Sequence, residues 1–568
     1  MLGRNTETLR GNLHPKNTIG VRARLTGFPD ERQAMKILTA EEMRAADRAT
    51  IEHHGIPSTH LMTHAGTAVA QFILAEFSHA KRIVAVCGKG NNGGDGLMAA
   101  DALAKAGRDA RIFLLGAREE LKGDPQAMLH KAQPGVPVTE VLSEADLHTS
   151  AIAKLLAEAD VILDAMVGTG FKPPLRGLAA AVRDMLQTMP TPIVAVDLPS
   201  GWDADSQQYE VEGALRADAV VTFTAPKLAH AFGNLTGSAT KPIVIAPIGS
   251  PDEAIVSTQK LRWTGSAKRI TERPRRADDN KGRHGHVAIF AGSHGQSGAP
   301  SMASLAALRA GAGLVTAAVP VSILNNVALV APELMTTPLP EDAQGQLDPS
   351  FFGDPLDAVL ERKTVLAAGP GLGQSEGAAA LVHALLERSD VPLVLDADAL
   401  NILAKNMPRF RDRPNRNDTR IVLTPHPGEM GRLVGLSTQD VQNDRIGLAR
   451  RFAAEYGVTL VLKGWRTLVA HPDGTVAVNT TGNPGLAKGG SGDMLTGLVA
   501  AMIAQYPDEL ERAVEAAVYL HGLAADIAVR AQDEHTLLVT DVIASLWKAF
   551  RFRAEDKHGY VWWEGLPT

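Results

Sequence analysis

Short runs of branched apolar residues recur along the chain with Ala- and Leu-rich, helix-like segments between them, and this alternation is the strongest constraint on its fold. RIVAVCG (82–88), ARIFLLG (110–116), DVILDAMVG (160–168) and TPIVAVDLPSG (191–201) are apolar almost continuously rather than at every second position. Such strands are buried on both faces, which calls for a parallel sheet covered by helices on each side. The rhythm resumes at HVAIFAG (286–292), GLVTAAVP (313–320), TVLAAGPGLG (364–373), PLVLDADAL (392–400), RIVLTPHPGE (420–429) and TLVLKG (459–464). The expected fold is α/β, with two sheets in series, because 568 residues exceed what one hydrophobic core holds.

Between the two series, residues 250–280 concentrate charge and proline and break the rhythm, so they read as the linker, with the cut near 255–270. The expected division is a flexible tail over 1–34, a first domain over 35–255 and a second over 256–568. The tail carries Arg4, Arg10, Lys16, Arg22, Arg24 and Arg32 but lacks the apolar core of a secretory signal. Regular structure should begin with KILTAEEMRAADRATIE, where Thr39 and Glu42 have the spacing of a capping box. A single cysteine, Cys87, excludes an intrachain disulfide, and no apolar run reaches the roughly 18 residues of a membrane span. A cytoplasmic protein is expected. The net charge of −6 leaves no concentrated basic footprint for nucleic acid, so small-molecule partners are expected.

In the first half, the strand 82–87 leads into GKGNNGGDG (88–96) and then a helix from Leu97. A glycine-rich turn between a parallel strand and a helix start suits a phosphate-bearing ligand. The plain GxGxxG spacing is replaced by Asn91, Asn92 and Asp95, which add oxygen and amide groups to the cradle. Two more strand ends carry oxygen donors, Asp164 before Gly168-Thr169-Gly170-Phe171 and Asp197 before Pro199-Ser200-Gly201. A lone aspartate there more often caps a helix or fixes a turn; three together suit a hard cation.

In the second half, NTTGNPGLAKGGSGD (479–493) runs into the apolar MLTGLVAAMIA. Its free amides and the positive end of the helix dipole offer a phosphate site, with the Asp493 carboxylate beside it. The two glycine-rich segments differ in order, so no internal repeat is read. GPGLG (369–373), LDADAL (395–400), TPHPGEMGRL (424–433) and KGWRT (463–467) precede this loop.

GNNGGDG, DAMVGTGFKPPLRG, VAVDLPSGWDAD and ADAVVTFTAPK resemble the epimerase domain of the NAD(P)H-hydrate repair proteins. The resemblance implies a Rossmann-like three-layer α/β/α domain that holds potassium through Asn92, Asp164 and Ser200. It places the hydrated nicotinamide nucleotide on Asn91, Asn92, Gly93, Gly94, Asp95, Gly168, Thr169, Gly170, Phe171, Lys172, Pro173, Pro174 and Asp197. Asp197 is the expected proton-handling acid. The segment HLMTHAG (60–66) departs from the family, with Thr63 where an acid is usual.

The order of motifs in the second half resembles the ribokinase-like superfamily, in its NAD(P)H-hydrate dehydratase branch, which uses ADP in bacteria and ATP in eukaryotes. This implies a ribokinase-like α/β/α domain with Ala299, Gly371, His426 and Asp493 on the hydrate. Lys463, Gly464, Trp465, Arg466, Thr467 and Gly492 would contact the adenine nucleotide. Hydroxide leaves poorly, so transfer of a phosphoryl group to the hydroxyl makes elimination feasible. Asp493 would take the hydroxyl proton, the Gly489–Gly492 amides would stabilise the transferred group, and Mg2+ would bridge the phosphates.

The implied function is metabolite repair: epimerisation of the R and S hydrates (NADHX and NADPHX) and ADP-dependent dehydration of the S form. A homo-oligomer is expected. The alternatives are a ribokinase-like small-molecule kinase with a nucleotide-binding, non-catalytic first domain, or a first domain that is a nucleotide-sensing or protein-binding module. His53, His54, His60 and His64 read as a solvated helix face, Lys488 as a solvated charge, and the tail GYVWWEGLPT (559–568) as a segment docked on a neighbouring surface.

Overall fold

The computed structural model describes residues 34–567, apart from 133, 239, 350–353, 388–390 and 414–419. The tail expected over 1–34 therefore lies outside the described residues except for Ala34. Helix Ala40–Glu52 starts as expected, with Thr39 and Glu42 forming a capping box.

The first domain supplies strands β1 (Arg82–Cys87), β2 (Asp109–Leu115), β3 (Val138–Val141), β4 (Val161–Ala165), β5 (Ile193–Val196), β6 (Ala219–Phe223) and β7 (Ile243–Ala246). The second supplies β8 (Leu261–Trp263), β9 (His286–Phe290), β10 (Leu314–Pro320), β11 (Met335–Leu339), β12 (Val365–Ala368), β13 (Leu393–Leu395), β14 (Ile421–Leu423), β15 (Thr459–Leu462), β16 (Leu468–Ala470) and β17 (Val476–Val478). One further strand, β18 (Val561–Glu564), comes from the C-terminal tail. The eight-stranded sheet has the order β18-β7-β6-β5-β4-β1-β2-β3, and the ten-stranded sheet β11-β10-β9-β12-β13-β14-β15-β16-β17-β8. The first is parallel except for β18; in the second, β16 runs antiparallel to both neighbours.

Each sheet reverses its winding once. β1 pairs with both β2 and β4, and β9 with both β10 and β12. The loops after those strands diverge to opposite faces and leave a crevice at the carboxyl edge, the usual ligand position in a doubly wound sheet.

Two boundaries differ from the sequence reading. Residues 250–280 are not a free linker, because β8 joins the second sheet and the following turn Thr264–Glu272 buries Ala267 and Ile270 in its core. Trp263 and Ile270 point into the core, and Lys268, itself buried, donates to Glu272 and the Phe552 carbonyl. The last strand crosses the division at 255/256: β18 pairs antiparallel with β7 and completes the first sheet, so the tail does dock, as an edge strand. Met35 also pairs with this region, accepting from the Trp263 amide at 3.0 Å. One contiguous core then runs from Trp202, Phe232 and Ile245 to Val287 and Leu366. Among the described residues, no helix is long and apolar enough to cross a membrane.

Trp563 anchors this junction. It is fully buried, stacks on Trp263 with centroids 5.2 Å apart, and donates from Nε1 to the His230 carbonyl at 3.0 Å. Trp563→Ala should cost about 3–5 kcal/mol in urea denaturation, because the cavity lies where the two sheets share a core. A loss below about 1 kcal/mol, typical of a surface substitution, would show that the strand is peripheral.

Candidate active sites

The first crevice is a cavity of about 600 Å³ lined by Asn91, Asn92, Asp95, Gly168–Phe171 and Asp197, and by Asp47, Phe223 and Lys227. The glycine segment is not a loop: the helix begins at Asn91, six residues before the expected Leu97. Its glycines allow the helix to sit on the strand ends. A Cβ on Gly93 would lie 1.9 Å from the Gly88 carbonyl oxygen, and one on Gly96 2.5 Å from Ala165 Cβ. Close packing thus points the helix N-terminus, whose N-cap Gly90 has no side chain to cap it, at the crevice.

Asp197 follows β5 with a left-handed backbone (φ 66°). One carboxylate oxygen accepts from Lys227 Nζ at 2.7 Å and Thr222 Oγ at 2.9 Å; the other accepts from the Thr169 amide at 3.2 Å and from its hydroxyl. Burial alone would raise this carboxyl, but the Lys227 ammonium and the hydrogen bonds outweigh it and hold Asp197 far below the carboxylate range. His230 accepts from the Lys227 amide at Nδ1 and lies 2.8 Å from the Asp197 carbonyl at Nε2. Burial and the Lys227 charge push it down to about 4, so it is a neutral ring with its proton on Nε2. For Asp47 and Asp95, in the same cavity, the Lys227 charge only partly offsets burial. Burial pushes Asp47 up to about 6, and burial with the Asp197 charge holds Asp95 well above its ordinary value.

The residues expected to hold potassium meet around Val167. Asn92 Nδ2 donates to its carbonyl at 2.9 Å, its amide donates to Ser200 Oγ at 3.2 Å, and Ser200 Oγ donates to Asp164 at 2.6 Å. Asn92 Oδ1 is buried and has no hydrogen-bond partner among the described residues. A buried acceptor left over beside a carboxylate and a hydroxyl fits a hard cation. Lys172 turns instead to Asp203 and Asp205 (2.7 and 3.2 Å), and neither Gly93, Gly94 nor Pro173–Pro174 lines the cavity. Thr63 bonds back within its own helix, to the Thr59 carbonyl.

At the second crevice, helix Ser491–Gln505 starts within the segment expected to be loop, behind Gly490 at φ 94°. Asp493 lies in its first turn, where burial and the Asp396 charge, opposed by Lys463, push it up to about 6. Asp396, at the end of β13, is nearly inaccessible and accepts from Lys463 Nζ at 2.8 Å and Thr496 Oγ at 2.8 Å. Glu429 stands 3.8 Å from the same ammonium. A Cβ on Gly492 would lie 3.2 Å from Lys463 Nζ. Gly371 and Ala299 are neighbours across the crevice: a Cβ on Gly371 would come within 3.1 Å of Ala299 Cβ.

His426 caps helix Pro427–Val434, accepting at Nδ1 from the Gly428 and Glu429 amides. Its Nε2 lies 3.4 Å from Glu429 Oε1, so the edge that faces a ligand is shared with a carboxylate. Arg466 turns inward, donating to the Thr480 carbonyl at 2.9 Å and to Glu564, so the loop 463–467 offers Gly464, Trp465 and its backbone rather than that guanidinium. Lys488 is bonded to the His535 carbonyl at 2.8 Å. Behind the glycine loop, His521 Nε2 lies 3.1 Å from the Ser491 carbonyl oxygen.

Sequence reading assigned no role to Asp47, Lys227, Asp396 or Glu429. Asp396 and Glu429 stood within quoted motifs, and Lys227 closed one; their strand-end or helix-start positions were the available signal. Asp47 carried none, since its helix reads only as amphipathic.

Two doubly wound domains, each gathering acids around one lysine at the carboxyl edge of its sheet, define a two-domain α/β enzyme. Residues 58–229 match the family described as YjeF-related protein N-terminus, and residues 287–547 match the NAD(P)H-hydrate dehydratase family. The bifunctional NAD(P)H-hydrate repair enzyme of Moorella thermoacetica is 41% identical over 545 residues, covering 92% of this chain and 98% of that one. That of Thermofilum pendens is 34% identical, covering 92% and 97%. The ADP/ATP-dependent NAD(P)H-hydrate dehydratase of Bacillus subtilis, crystallised with ATP and Mg2+, is 33% identical and covers 52% of this chain and 100% of its own (TM-score 0.44). The chain belongs to the family of bifunctional NAD(P)H-hydrate repair enzymes, with an epimerase domain followed by a dehydratase domain.

The Lys227–Asp197 pair is buried on both sides, so losing the ammonium leaves an uncompensated anion. Lys227→Met should cost about 3–5 kcal/mol at pH 7 in urea denaturation, and adding Asp197→Asn should restore most of it. The sign follows from the depressed Asp197 value: the stabilisation is present above the ordinary aspartate pKa and is lost only as pH falls through the folded one. An unrescued double variant would show that Lys227 acts through packing alone.

Proposed function

We propose that the first site interconverts the R and S hydrates of NADH and NADPH, and that the second dehydrates the S hydrate with ADP, releasing AMP and phosphate. The observation that carries the reading is Asp493: a carboxyl of raised basicity in the first turn of a helix whose amides face the crevice, beside the Lys463–Asp396 pair.

Hydration of the dihydropyridine places a hydroxyl on the carbon beside the ring nitrogen. Epimerisation there needs the C–O bond to break with a proton supplied to the leaving oxygen, while the nitrogen lone pair forms a planar iminium. Water then returns on the other face and gives up its proton. Asp95 and Asp47, held protonated more readily than ordinary acids, suit the donor role. Asp197, expected from sequence to carry the proton, is better suited to a standing negative charge that stabilises the cation. Potassium, when bound, would supply a fixed positive charge, held by Asn92, Asp164 and Ser200. Asn91, Asn92, Asp95 and the Gly168–Phe171 loop would position the nucleotide.

At the second site Asp493 takes the hydroxyl proton as that oxygen attacks the terminal phosphorus of ADP. The P–O bond to AMP breaks, and loss of phosphate from the substrate restores the C=C bond as a ring proton leaves. Gly489–Gly492 amides stabilise the transferred group. Among the described residues, no group of three or more His, Cys, Asp or Glu side chains could hold a metal ion, so Mg2+ would be held chiefly by the phosphates. Ala299, Gly371 and the Nε2 edge of His426 would face the hydrate, and Lys463–Thr467 with Gly492 the nucleotide.

The test is recovery of absorbance at 340 nm from prepared NADPH hydrate with ADP and Mg2+. Asp493→Asn should lower kcat by about 10²–10⁴-fold, the usual contribution of a general base, while R-to-S conversion continues. Accumulation of a stable phosphorylated product, without recovery at 340 nm, would contradict the proposal. Asp493 acts as a base, so its working form lies above its pKa. For dehydration, kcat/KM should therefore fall as pH drops through about 6, and a profile flat from pH 5 to 8 would remove Asp493 as the base.

A further inference from the structure

The C-terminal strand plays no part in either reaction, yet it reaches the second site. Glu564 ends β18, so its backbone belongs to the first sheet. Its carboxylate, 6% exposed, pairs with the guanidinium of Arg466, 4% exposed, in the middle of the loop 463–467. Arg466 has a left-handed backbone (φ 53°), a conformation that a residue with a side chain holds only when its surroundings fix it.

Those surroundings come from both domains. Within the second, Arg466 donates to the Thr480 carbonyl and packs its guanidinium 4.2 Å from the centre of the Trp465 ring. Arg445 donates to the carbonyls of Trp465, Leu462 and Arg466. From the first, the Phe232 carbonyl accepts from Trp465 Nε1 at 3.3 Å, and the Tyr209 ring meets Trp465 edge-on with centroids 5.2 Å apart. A buried line of hydrogen bonds continues from Arg466 through the Thr480 carbonyl. Thr480 Oγ donates to the Trp563 carbonyl at 2.7 Å, Trp563 Nε1 to the His230 carbonyl at 3.0 Å, and His230 Nε2 lies 2.8 Å from the Asp197 carbonyl.

We propose that the first domain, through Glu564 and Tyr209, positions the nucleotide loop of the dehydratase site, with Glu564 the principal positioning residue. The physical reason is that a buried guanidinium needs a carboxylate to keep one geometry, and here that carboxylate is supplied by the other domain's sheet. The inference rests on the assignment of 463–467 to the adenine nucleotide.

The test uses the full chain, whose two activities report on each other. In Glu564→Gln, KM for ADP should rise about tenfold, the effect of losing one charge-assisted hydrogen bond from the loop's support, with kcat and KM for the hydrate within about twofold. R-to-S conversion should be unchanged. Tyr209, half exposed, can be removed with little risk to folding, and Tyr209→Ala should raise KM for ADP about threefold with the same pattern. If the wild-type chain restores NADPH with ADP and neither soluble variant moves KM for ADP, the inference is overturned. If Glu564→Gln does not fold, Tyr209→Ala alone decides. Wild-type protein inactive with ADP would instead remove the nucleotide assignment itself.

Discussion

Lys227 and Lys463 each bring a single ammonium among several carboxyl groups at the carboxyl edge of a sheet. The ionisation of each neighbour depends on which carboxylate takes that ammonium. In the first site Asp197 takes it and stays ionised, leaving Asp47 and Asp95 shifted up. In the second Asp396 takes it, and its charge helps raise Asp493. Burial raises all of these carboxyl groups, and at Asp197 the hydrogen-bonded ammonium reverses the sign. Environments that push paired acids apart in pKa are how one site holds both a standing charge and a proton carrier.

Fusion of the two domains is more than a linker. β18 fills the edge of the first sheet, Trp563 stacks on Trp263 of β8, and the segment at Met35–Leu38 runs between β8 and the Lys227 turn. An exposed edge strand invites association, and covering β7 with the chain's own terminus removes that hazard while tying the sheets together. The same strand carries Glu564 to the nucleotide loop, so the architecture that hides an edge also reaches the second crevice.

The two-sheet architecture was legible because parallel strands buried on both faces leave continuous apolar runs. Both glycine-rich segments were placed at a helix start, but GNNGGDG was read as loop where it forms the first turns of the helix. Gly93 and Gly96 are there because the backbone of Gly88 and the side chain of Ala165 leave no room for a Cβ. Motif reading found Asp197 and Asp493 but not Lys227 and Lys463 as the groups that set their charge, since proximity across 30 residues of sequence has no local signature. Residues 250–280 failed as a linker for a related reason: charge is counted over a window, whereas burial depends on which face each residue takes. The role of β18 was invisible because it depends on a partner strand more than 300 residues earlier.

The chemistry of both sites turns on which carboxyl groups keep their protons. The most direct measurement is a pH titration of 13C-labelled aspartate carboxyl signals in the full chain, assigned by single substitution. Asp493 should titrate with a midpoint near 6, while Asp197 remains ionised throughout that range. An Asp197 signal that protonates alongside Asp493, or an Asp493 midpoint at the ordinary value near 3.8, would contradict the assignment of charge by the two lysines.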